Sequence, residues 1–172
     1  FRAYCELTEP RIAAALQFFK VFEVQAAQGS MRLKVWLRMK WIDTRLSWNP
    51  ADFGGVTTTF YQGAGFGGAE DNEIWVPDIQ PYNGLVGTVM SLEPAVATVS
   101  SDGSIFWSRP GTLDVMCKFS GLVAFPFDHL KCPVEFGGWS YSGGYQGLHT
   151  YNGGFALSNQ EVTSGTSYQE YL

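Results

Sequence analysis

The chain has 172 residues, with 45% hydrophobic, 16% aromatic and 16% charged side chains and a formal charge of −5. That length suits one domain with a proper core, and the composition excludes a disordered chain and a coiled coil. The acidic balance argues against a nucleic-acid partner and agrees better with a cationic ligand. Aromatics and 20 glycines favour pleated surfaces joined by many turns, hence a β-protein.

The first segment has a plausible helix start, Thr8 and Pro10 before RIAAAL, yet QFFKVFEV after it reads as strand. We expect a helical turn giving way to strand. Residues 31–41, MRLKVWLRMKW, alternate with period two, so Met31, Leu33, Val35, Leu37, Met39 and Trp41 share one strand face. Trp36 falls on the opposite, basic face with Arg32, Lys34, Arg38 and Lys40, which points to a contact surface there.

WNPADFGG reads as a turn and residues 56–61 as a short β-branched strand. Gly63, Gly65 and Gly68 match G-x-G-x-x-G, but the sequel EDNEIWVPDIQP contains two prolines and excludes the helix that fingerprint needs. Residues 95–108 form a hairpin signal about Asp102-Gly103. Alternation returns in 112–119 through Leu113, Val115, Cys117 and Phe119, and in 132–139 through Cys132, Val134 and Phe136. Residues 151–172 read as a polar loop leading into a last strand. Short strands with Gly/Pro turns and no helix–strand alternation predict an all-β, antiparallel β-sandwich forming one domain over 1–172.

Catalytic patterns are absent. His129 and His149 have no partner at metal-ligand spacing, and no G-x-S-x-G or H-E-x-x-H occurs. Asp43, Asp52, Glu73, Asp78 and Asp128 fall mostly in turns, where bonding to backbone explains them. Cys117 lacks a locatable base, so no enzyme is expected, nor a cofactor or metal. Cys117 and Cys132 are either a disulfide or two separate thiols, and Cys5 is unmatched. No apolar run approaches a membrane span and the start carries no signal-peptide core, so the chain reads as a mature fragment of something longer.

Five segments carry a family resemblance, together covering residues 12–145. CKFSGLVAFPFDHLKC resembles the signature loop of Cys-loop receptors. EIWVPDIQPYNG resembles the family's W-x-P-D segment with its following Tyr, and VWLRMKWIDTRLSWNPADFGG the nicotinic W-L-x-x-x-W-x-D-x-R-L-x-W-N-P run. DGSIFWSRP leads to Cys117 as the family hairpin does, and Trp139 in GGWSYSG sits where a binding-site Trp is expected.

The resemblance is to the extracellular ligand-binding domain of nicotinic-like pentameric ligand-gated channels. It implies an aromatic box between subunits of a homo- or hetero-pentamer, accepting a small cationic amine. Tyr82 and Trp139 would supply its principal face; Trp36, Arg38, Thr98, Phe106 and Ser108 would supply its complementary face. A cation attracted to indole and phenol faces gains about 0.5–2 kcal/mol per contact. Asp78 would brace the loop holding Trp139. A Cys117–Cys132 disulfide would close a loop whose Phe125, Pro126, Phe127 and Asp128 face the membrane and relay binding to a pore, joined there by residues 23–28.

The cysteine loop is one residue longer than the family pattern. The sequence also stops before the family's next hairpin, which caps the ligand, and before its membrane helices. The expected domain is therefore incomplete at both ends and truncated before the last hairpin. Placement on the outer face of the plasma membrane follows if membrane helices continue the chain. A secreted binding protein of the same fold, and an assembly subunit that has lost its ligand, are the alternatives.

Overall fold

The computed structural model describes residues 11–63, 72–119, 132–140 and 146–150. Two strands, β2 (Ser30–Ile42) and β6 (Ser104–Met116), form the axis of the larger sheet. Each alternates strictly. Leu33, Val35, Leu37, Met39 and Trp41 point inward from β2, and Ile105, Trp107, Leu113 and Val115 from β6. The register sets Trp41 beside Ile105, Met39 beside Trp107 and Leu33 beside Leu113. A slip of either strand by one residue would turn its row to water, so the apolar pattern fixes the pairing.

Around this axis the larger sheet runs β3-β5-β6-β2-β1-β8, with β1 Arg11–Gln25, β3 Thr58–Gly63, β5 Ala95–Ser100 and β8 Gly147–Thr150. All pairings are antiparallel except β8 on β1. The hairpin expected about Asp102-Gly103 forms between β5 and β6, closed by the Gly103 N–H donating to Ser100 O. A second, two-stranded sheet pairs β4 (Ile79–Pro81) with β7 (Phe136–Gly138). Ile74, Val76 and Ile79 enter the same core as the inward rows of β2 and β6, and Phe136 packs against it. This is the all-β sandwich that the alternation predicts.

Three indoles centre the core. Trp41 meets Trp75 and Trp107 edge-on, with ring centroids 6.1 and 6.5 Å apart. Each such pair contributes about 0.5–1.5 kcal/mol beyond its buried area.

Two expectations need correction. The helical turn after Pro10 does not form: residues from Arg11 are strand, because Ile12, Ala14 and Leu16 point inward while the backbone pairs with β2. Residues 132–139 are strand only at Phe136–Gly138, although Cys132, Val134 and Phe136 do pack against the core. Three further findings were not anticipated. One is a single helical turn, α1, at Thr88–Ser91. Another is β8. The third is Arg109, which takes an inward position on β6 and is 2% exposed. Its guanidinium lies 5.0 Å over Trp107 and donates to Leu92 O and Glu93 O. Burial pulls its pKa down to about 10, opposed by the charge of Glu93, so the group stays cationic at neutral pH.

Asp43 ends β2 and caps the short helical turn Thr44–Leu46. Its buried carboxylate accepts from Arg45 Nε at 2.8 Å, from Arg45 Nη2 and from the Arg45 amide. The Arg45 side-chain bonds, foremost, hold the Asp43 carboxyl below its ordinary value against the opposing effect of burial. A carboxyl with a depressed folded pKa contributes fully above its unfolded value, near 3.9, and loses that contribution as pH falls through the folded value. In acid titrations of urea stability, Asp43→Asn should therefore be less stable at neutral pH, with a shallower loss below about pH 4. Parallel profiles would refute this role.

Candidate ligand-binding site

The small sheet gathers one group of expected site residues. Tyr82 directly follows β4 and Trp139 directly follows β7, leaving them 53% and 72% exposed. The Tyr82 hydroxyl donates to Gly138 O at 2.8 Å, the carbonyl just before Trp139. Gly137 makes this possible. A Cβ there would come within 2.2 Å of the Tyr82 hydroxyl, so only glycine lets the phenol cross the strand.

Asp78 lies behind the group and is fully buried. Its Oδ2 accepts from the Ser140 N–H, and its backbone carbonyl accepts from the Trp139 N–H. The Trp139 backbone is thus pinned on both sides while its indole faces out. Among the described residues Asp78 Oδ1 meets no donor.

A second group shares the outward face of the larger sheet. The register places Arg38 opposite Ser108, Trp36 opposite Pro110, and Phe106 between Lys40 and Thr98. Trp36 and Arg38 are half-buried, with the guanidinium 5.3 Å over the indole. Next to this group comes Phe60 on β3, opposite Thr98 and exposed. Sequence reasoning missed Phe60, because only the cross-strand register sets it in the row Phe60, Thr98, Phe106, Lys40. The same face is basic along β2, where Arg32 pairs with Asp114 at 2.6 Å and lies 3.9 Å from Glu23.

Cys117 and Cys132 are joined in a disulfide with a Cα–Cα distance of 5.0 Å, an ordinary span for such a bridge. The β1–β2 turn reaches it, since the Cys117 N–H donates to Gly29 O at 2.7 Å. Phe125, Pro126, Phe127 and Asp128, the expected coupling loop, lie outside the described residues, as does Cys5. Among the described residues no group of three His, Cys, Asp or Glu could hold a metal, and no helix is long and apolar enough to cross a membrane.

The described residues form a disulfide-stapled β-sandwich with outward aromatics on both sheets. Residues 8–169 match the model of the neurotransmitter-gated ion-channel ligand binding domain, and the chain belongs to that family. It is 32% identical over 126 residues to the neuronal acetylcholine receptor subunit alpha-2 of Pan troglodytes, covering 73% of this chain and 22% of that protein. It is 29% identical over 128 residues to the acetylcholine receptor subunit alpha-type unc-63 of Caenorhabditis elegans, covering 74% and 24%. With the neuronal acetylcholine receptor subunit non-alpha-3 of Carassius auratus it shares 30% over 151 residues, covering 83% and 30%. The chain thus spans about a quarter of the length of these curated relatives. The family is one of ligand-gated channel receptors, not enzymes.

Proposed function

We propose that this chain is the extracellular agonist-binding domain of a nicotinic-like pentameric channel. A small cationic amine binds between Tyr82 and Trp139 of one subunit and Trp36, Thr98, Phe106 and Ser108 of the next, and the disulfide loop carries the event toward a pore. The observation that supports this reading best is the tethering of Tyr82 to the carbonyl preceding Trp139. Two π-faces are held by backbone and left exposed, which is what capture of an ammonium requires. The relatives named as acetylcholine receptor subunits supply the ligand class.

Because the chain carries both groups of residues, five copies can close a ring through one repeated head-to-tail interface. A second reading, a subunit that keeps the fold without binding an amine itself, is favoured by Arg38, whose own cation already covers Trp36. Titration calorimetry with acetylcholine, together with native mass measurement, tests both. A pentamer that binds acetylcholine is expected. A pentamer that binds none supports the assembly subunit, and a monomer without binding overturns both.

A further inference from the structure

Asn83, the residue after Tyr82, spends its whole side-chain amide on two distant segments. Nδ2 donates to Met116 O at 2.9 Å and to Pro133 O at 2.7 Å, while Oδ1 accepts from the Glu135 N–H at 3.0 Å. Its backbone carbonyl accepts from the Met116 N–H at 2.7 Å. Met116 immediately precedes Cys117, and Pro133 immediately follows Cys132. One amide therefore grips both chain ends at the base of the disulfide-closed loop, using two donors and an acceptor. On its other side it is one peptide bond from Tyr82, whose hydroxyl holds Gly138.

We propose that Asn83 is a positioning residue that transmits the placement of the Tyr82 ring to the base of the disulfide loop. Its use in signalling rests on the agonist-binding reading above; the mechanical link itself belongs to this chain. Displacing the Tyr82 ring pulls on Asn83, and Asn83 moves the carbonyls of Met116 and Pro133 together. Cys117 shifts with them and takes Gly29 of the β1–β2 turn along, since its N–H donates to Gly29 O. A competing route exists, because the Tyr82 N–H also donates to Glu135 O at 2.7 Å and β4 pairs with β7.

A double-mutant cycle on the rate at which dithiothreitol reduces Cys117–Cys132 separates these routes, since thiol attack depends on access to the bridge. Tyr82→Phe removes only the hydroxyl bond, and Asn83→Ala removes the grip. Each should speed reduction about threefold or more, and the double variant should be no faster than Asn83→Ala alone. Rates that multiply would show a merely local role for Asn83 and overturn the proposal, as would an unchanged rate in either single variant. Should Asn83→Ala fail to fold, Asn83→Asp replaces it, keeping the acceptor for Glu135 and losing both donors. Acetylcholine binding by the same proteins keeps the two readings apart. Coupled rates without binding leave the relay standing and remove the agonist site. Binding with multiplying rates does the reverse.

Discussion

Trp139→Ala is expected to weaken acetylcholine binding by about 10- to 30-fold while leaving the fold in place. The magnitude follows from the removal of one cation–π contact worth up to about 2 kcal/mol, where each 1.4 kcal/mol is tenfold. The fold survives because the indole is 72% exposed and the backbone is held by Asp78 whatever side chain residue 139 carries. Exposed substitutions of this kind shift stability by about 0.5 kcal/mol or less. Calorimetric titration and a melting curve on the same sample separate the two effects. Trp139→Phe should recover part of the affinity, since a π-face returns. An unchanged affinity in Trp139→Ala would remove this residue from the site.

The paired change Cys117→Ser and Cys132→Ser should cost about 3 kcal/mol of stability, the chain-entropy value for a loop of some 15 residues. The bridge spans a sequence separation of 15. It joins β6 directly to the segment feeding β7, and those strands belong to different sheets. Urea denaturation measures the loss as a lower midpoint. A loss under about 1 kcal/mol would mean that the unfolded chain is already restrained without the bridge, contrary to the loop-closure account.

The sandwich was legible wherever strands are long and one face is wet. In β2 every second residue from Leu33 to Trp41 enters the core, and that regularity is visible in the letters alone, as it is in β6 from Leu113 on. It failed where pairing overrides propensity. Ile12–Leu16 carry three alanines and a preceding proline, good helix-start material, yet β2 supplies a partner and the segment extends. Arg109 escaped notice because a cation on the inward row contradicts the pattern, and it is accommodated by the carbonyls of Leu92 and Glu93 and the face of Trp107. The aromatic residues proposed for the site come from family motifs, and the structure leaves Tyr82, Phe106 and Trp139 exposed. Asn83, Gly137 and Phe60 were not, because their roles lie in contacts across the sheets rather than in neighbours along the chain.

Gly137 carries a consequence for how such a domain can vary. The ring of Tyr82 rests where any other residue at 137 would place its first carbon. The placement of an exposed aromatic is thus encoded at a position whose missing side chain faces that aromatic from the neighbouring strand. Even alanine at 137 would push the phenol off Gly138 and change the distance between Tyr82 and Trp139. The glycine therefore sets where the phenol can lie as much as the tyrosine does, and a substitution there displaces the ring while every aromatic remains spelled as before.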